Sequence, residues 1–203
     1  SRLQDVSKVK CLIDELNVLP AELNPLAKTP IIYTNVMQMY MRMGNYKLAK
    51  DTFDTMTFLS KGTSPSSRTY TSMILMDTLN NCVEHGLEVY QRMNDQNVKL
   101  EPDALLALAK GCGTRSKFKD GSHMILKGWS FIIEYYNGGY PINEKVMEIM
   151  MYLAYVDSDL SFARAIWLNV CEQNSRGIEG VNVSNLRLIK WLFNTCLLYT
   201  SPS

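Results

Sequence analysis

The chain has 203 residues, a formal net charge of +1, 46% hydrophobic and 20% charged residues. These proportions argue against a disordered or membrane class, and nowhere do 18 apolar residues run together. A near-neutral balance supplies no molecule-wide field for steering polyanions, so any nucleic-acid partner must be held by a local surface.

Cys11, Cys82, Cys112, Cys171 and Cys196 form no CxxC pair, and the only histidines are His85 and His123. That speaks against a zinc site or a disulfide framework and for reduced, mostly buried thiols of a cell interior or organelle matrix. His85 and His123 have no Cys, His or carboxylate arrangement near them in the sequence. The chain starts at Ser1 without a methionine and is read as a piece of a longer protein.

The first helical signal is faint: Val6, Val9, Ile13 and Leu16 share one face, and Pro25 follows. Next comes "YTNVMQMYMRMG" at 33 to 44, with methionine at every second position from Met37 to Met43. Such alternation resembles a strand. The stretch between Thr29-Pro30 and Gly44-Asn45 is too long for one, however, and Tyr33, Val36, Met37, Tyr40, Met41 and Gly44 form an apolar stripe at helical spacing. The expectation is a helix over Ile31 to Met43, its methionines being adaptable core filler.

"NYKLAKDTFDTM" follows, with Tyr46, Ala49, Phe53 and Met56 on one face. The same offsets recur in Val83, Gly86, Tyr90 and Met93, in Ile125, Gly128, Ile132 and Tyr135, and in Leu160, Ala163, Trp167 and Val170. The second members, with Val9 of the faint copy, stand at 9, 49, 86, 128 and 163, so the steps are 40, 37, 42 and 35 residues. A period of this size marks a helical repeat array. The small marker lets a neighbouring helix approach, and the bulky residue four further on fills the groove beside it.

Pro25, Pro65, Pro102 and Pro141 close the units. A second set of helices is expected over Arg68 to Asn80, Ala104 to about Gly111, Glu144 to about Val156, and Val183 to about Cys196. The fold expectation is therefore all-α, a right-handed α-solenoid of antiparallel helix-turn-helix units. A truncated unit occupies 1–29 and units follow at 30–66, 67–103, 104–143 and 144–181. A last first helix spans 182–196. The closing "CLLYTSPS" resembles a translated cloning-adaptor tail, so 197–203 are expected to lie outside the fold.

Residues 30–66 resemble the pentatricopeptide repeat through Ile31, Tyr33, Thr34, Gly44, Ala49, Phe53, Met56, Pro65 and Ser66. Residues 67–103 do so through Tyr70, Thr71, Tyr90, Met93, Pro102 and Asp103, with Gly86 in place of Ala. The next two units match only in the second helix and the closing segment. The tetratricopeptide repeat, which binds peptides, favours Trp, Leu-Gly and Tyr in its first helix, and these are missing here.

The resemblance implies single-stranded RNA binding, one base per unit, with each base edge read by two or three side chains and its face sandwiched between units. It implies Thr34 with Ser66 and Thr71 with Asp103 as readers, the second pair favouring guanine. Ile31 and Arg68 take the sandwich positions, and Arg42 the approach to phosphate. Asn143 closes the third unit, but Leu108 and Glu148 stand where polar readers belong. The plainer alternatives are that Thr34 and Thr71 bond backbone near a helix start, that Asp103 caps helix 104–111, and that Arg42 is a solvated charge.

Arg115, Lys117 and Lys119 around Phe118 form a basic segment, expected to be a solvated loop or a lip for phosphates. Asp157 and Asp159 are expected to favour the N-terminus of the helix after them. No catalytic or metal constellation and no cofactor is expected, nor a small-molecule substrate or a membrane span.

The family implies a mitochondrial matrix location and a role in RNA processing, stability or translation, foremost rRNA maturation or intron splicing, with mitoribosomal or RNA-processing proteins as further partners. The alternative is a protein-binding scaffold of the ribosome-associated or adaptor kind.

Overall fold

The structure, a computed structural model, describes residues 7, 8, 11, 15, 30–59, 65–117, 123–177 and 186–200. The expected faces of the first helix (Val6, Val9, Ile13, Leu16), Pro25, Phe118 and Lys119 lie outside the described residues. Among those residues the chain is all-helical and has no strand.

The helices are α1 (Pro30–Arg42), α2 (Tyr46–Leu59), α3 (Ser67–Leu79), α4 (Val83–Asp95), α5 (Pro102–Arg115), α6 (Met124–Asn137), α7 (Glu144–Val156), α8 (Leu160–Ser175) and α9 (Leu186–Thr200). They divide into two compact units, Ser1–Glu101 and Pro102–Ser203. In the first, α1 packs on α2 and α3 on α4, and α3 also touches α1 and α2. In the second, α5 packs on α6 and α7 on α8, while α5, α7 and α9 are successive neighbours.

A backbone device recurs in the short links. Gly44, Asn81 and Ser158 all have left-handed backbone, with φ of 72°, 57° and 57°. The amide one residue later then reaches back to a carbonyl of the preceding helix: Asn45 to Tyr40 at 2.9 Å, Cys82 to Asp77 at 2.8 Å, Asp159 to Ala154 at 2.9 Å. This Schellman-type closure satisfies carbonyls that a helix end leaves without partners. The next helix is started by a side chain in two of the links, where Asn45 Oδ1 accepts from the Leu48 amide and Asp159 Oδ1 from the Phe162 amide. Of the two carboxylates expected to favour the start of α8, Asp159 is its N-cap, whereas Asp157 instead ends α7.

The marker residues Ala49, Gly86, Gly128 and Ala163 are all buried. At Gly128 a Cβ would stand 3.2 Å from the Ala109 carbonyl oxygen and 3.2 Å from Leu153 Cδ2, so the small residue is what admits the neighbouring helices. Of the alternating methionines Met37 is fully buried, while Met39, Met41 and Met43 are half-buried on a helix.

Three expectations need correction. Helix α5 does not stop near Gly111 but runs to Arg115; a Cβ on Gly113 would lie 2.6 Å from Leu153 Cδ2, so its glycines make packing room rather than an end. Helix α9 continues past Cys196 to Thr200. No disulfide joins any of the five thiols, but only Cys112 is buried; Cys82, for one, sits at the cap of α4, where a side chain has little core to enter.

Candidate nucleic-acid interface

In the first unit, the N-terminal halves of α1 and α3 bring two of the expected readers together. Thr34 Oγ1 lies 2.8 Å from Thr69 Oγ1, and Thr69 Oγ1 lies 2.9 Å from Ser66 Oγ. Thr34 and Ser66 are therefore joined through one buried hydroxyl, that of Thr69. Ser66 is also the N-cap of α3, its Oγ accepting from the Thr69 amide at 3.3 Å.

One turn further along, Gln38 Nε2 donates to Ser72 Oγ at 3.4 Å, so the α1–α3 seam is polar over two turns. Ile31, three residues before Thr34 on α1, is 71% exposed, and Arg68, next to Thr69 in the chain, is exposed. Arg42 is exposed in the last turn of α1, with no carboxylate partner among the described residues. The hydroxyls of the cluster can both donate and accept.

Thr71 differs from Thr34. It is 4% exposed, and its Oγ1 has no hydrogen-bond partner. Tyr70, next to it, is buried with its hydroxyl donating to Gln96 Oε1 at 2.8 Å, and burial raises its phenol above the ordinary value.

In the second unit, Asp103 is exposed and accepts from Lys145 Nζ at 2.7 Å. Because α5 begins at Pro102, a favoured first helical residue, Asp103 stands inside the first turn and not at the N-cap. Its charge still favours the helix N-terminus. Asn143 is the N-cap of α7, its Oδ1 accepting from the Val146 amide at 3.2 Å. Ser66 and Asn143, expected as closing residues of their repeats, thus share one structural role. Leu108 is fully buried and belongs to the core.

One cluster escaped the sequence reading. Asp77, fully buried in α3, accepts from Tyr46 Oη at 2.8 Å and lies 2.9 Å from His85 Nδ1. The expectation that His85 has no carboxylate near it is overturned: the link over 80–82 folds α4 back on α3 and brings residues eight apart into contact. Burial first, then hydrogen bonding to Cys82 and Asp77, pushes the Tyr46 phenol far above its ordinary value. His85 Nε2 is buried without a partner. No cluster of three His, Cys, Asp or Glu that could hold a metal exists among the described residues. No helix of the described residues is long and apolar enough to cross a membrane.

Three curated proteins similar to this chain share one name, mitochondrial 15S rRNA processing factor CCM1. That of Komagataella phaffii is 43% identical over 155 residues, covering 75% of this chain and 20% of that protein. That of Clavispora lusitaniae is 32% identical over 164 residues, covering 80% and 20%. That of Candida tropicalis is 32% identical over 171 residues, covering 83% and 22%. The chain thus spans about a fifth of the length of the curated relatives it matches. No protein-family model matches the chain. With relatives so named, its location is mitochondrial.

Proposed function

We propose that the chain is a pentatricopeptide-repeat segment of a mitochondrial rRNA processing factor, built of solenoid repeats, and that it binds single-stranded RNA, reading sequence through the repeats at 30–66 and 67–103. The observation that carries this reading is the hydroxyl chain Thr34–Thr69–Ser66. Residues 32 apart in sequence, picked out by the repeat frame as one reading pair, share a polar cluster flanked by exposed Ile31 and Arg68.

In this reading a base edge meets the Thr34 and Ser66 hydroxyls, Ile31 and Arg68 bear on its faces, and Arg42 meets phosphate. Hydroxyls that both give and take protons produce a loose purine preference. Asp103 contributes a carboxylate acceptor for guanine, whereas the Thr71 hydroxyl expected beside it is buried. The names of the relatives support rRNA as the target class. In this reading the segment acts by holding and presenting RNA.

The test is a selection from a random single-stranded RNA pool, followed by binding of mitochondrial small-subunit rRNA fragments at two salt concentrations. An enriched purine-containing motif, weakened in a Thr34→Val, Ser66→Ala double variant, is the expected outcome. If the pool enriches nothing while a pulldown from mitochondrial extract recovers one protein in stoichiometric amount, the chain is a protein scaffold instead.

A further inference from the structure

We infer that the second unit carries an additional nucleobase-stacking site on the C-terminal half of α7 and on α9, made by Tyr152, Tyr155 and Trp191 and served by Lys117 and Lys190. The inference rests on the RNA-binding reading above and adds to it a place that the repeat frame does not point to. Tyr152, the nearer of the two α7 rings, lies nine residues beyond the Asn143 cap, about 13 Å along the helix axis.

The three rings form one cluster. Trp191 lies 4.8 Å from Tyr152 and 5.1 Å from Tyr155, centroid to centroid. Tyr152 is the buried floor, its hydroxyl 3.0 Å from Thr114 Oγ1, while Tyr155 and Trp191 are half-buried walls. Lys117, exposed just past the end of α5, brings its ammonium over all three rings, at 4.8, 5.4 and 5.8 Å from their centroids. Lys190 places a second ammonium 5.5 Å from the Trp191 ring. Neither ammonium has a carboxylate partner among the described residues.

Charge selects the ligand. A ring cage with room for a cation could take a quaternary ammonium, but that ligand would have to displace one lysine and sit beside two. A nucleotide instead brings a π-face for the rings and a phosphate for the displaced ammonium. Lys117 is held weakly enough to move, because an exposed cation–π contact offsets little more than the rotamer freedom a lysine loses in making it. On binding, a base stacks against Trp191 and Tyr155 while the ammonium of Lys117 swings off the rings to a phosphate oxygen. Stacking is tolerant of base identity, so this site adds affinity and length to the footprint without adding sequence preference.

The experiment starts with the unaltered chain and a selected single-stranded RNA carrying 4-thiouridine at successive positions, photocrosslinked and mapped by mass spectrometry. The expected result is a crosslink on Tyr155 or Trp191 from one position. Replacing that nucleotide by an abasic one should weaken binding about tenfold. Two variants follow. Lys117→Gln, an exposed change, should lower the slope of affinity against salt by about one unit of log–log dependence. Trp191→Leu, checked for retained helicity, should remove the sensitivity to the abasic nucleotide.

Crosslinks confined to other residues, together with an unchanged salt slope in Lys117→Gln, overturn the stacking site and leave the RNA reading intact. If the unaltered chain binds no RNA at all, the RNA reading itself fails, and this inference falls with it.

Discussion

Lys145, the second residue of α7, holds the carboxylate of Asp103, the second residue of α5, at 2.7 Å. Two neighbouring helices are thus tied at equivalent positions by an ion pair whose side chains are 60% and 66% exposed. Exposed pairs of this kind contribute about 0–1 kcal/mol, so Lys145→Ala should barely move the melting temperature. Its effect on RNA should be larger. In the proposed reading Lys145 competes with the base for Asp103, so Lys145→Ala sharpens guanine preference, while Asp103→Asn shifts it towards adenine. Selections on the two variants decide this. A lower melting temperature in Asp103→Asn with unchanged base preference would reduce Asp103 to a first-turn helix charge.

Thr71 gives a second test, because its buried Oγ1 has no partner. Leaving a hydroxyl in that state costs about 1–3 kcal/mol. Thr71→Val keeps the shape and removes the unmet group, so chemical denaturation should find the variant as stable as the parent or more so. If the variant is clearly less stable, the hydroxyl has a partner within the folded chain. If stability holds and base selectivity falls, the hydroxyl's partner is RNA.

The Tyr46–Asp77–His85 cluster predicts the opposite sign. Asp77→Ala removes the buried acceptor of two half-buried groups, the Tyr46 phenol and the His85 imidazole. Losing hydrogen bonds to a charged group costs about 1.5–3 kcal/mol. Urea unfolding should show a loss near the lower figure. A change below about 1 kcal/mol would mean that water reaches the cluster.

Alkaline stability follows from the tyrosines. Burial is the leading cause that raises the phenols of Tyr46, Tyr70 and Tyr135 above their ordinary value of 10.0. Above that pH the unfolded chain gives up phenolic protons that the folded chain keeps, so the folded state binds more protons and stability falls as pH rises. Unfolding free energy should carry the full tyrosine contribution below about pH 10 and lose it progressively above. Tyr46→Phe should be less stable at neutral pH, because Asp77 loses a donor, and show a shallower alkaline decline. An equally steep decline in that variant would assign the effect to other groups.

Local signals carried most of the fold. Helix-spaced apolar residues and the linker prolines announce the helices, and Ala49, Gly86, Gly128 and Ala163 mark close approach because only small side chains permit it. The pairing of Thr34 with Ser66 was legible through the repeat frame. The Asp77–His85 pair was not, since it depends on a turn that reverses the chain between them. Nor was the ring cluster, whose members Tyr152 and Trp191 stand 39 residues apart and meet only when α9 packs on α7. The end of α5 was misread because a glycine that makes packing room and a glycine that ends a helix look alike without their neighbours.

The recurring left-handed link has an engineering consequence. Only Gly44 meets that backbone demand without a side chain; Asn81 tolerates it, and Ser158 is the residue least suited to it. Ser158→Gly should therefore raise stability by on the order of 1 kcal/mol, read as a shifted denaturation midpoint. It does so at an exposed turn three residues beyond Tyr155, so RNA binding by the variant is compared with that of the parent. A fragment stabilised at such a turn is the form to take into crystallisation or nuclear magnetic resonance with an oligoribonucleotide.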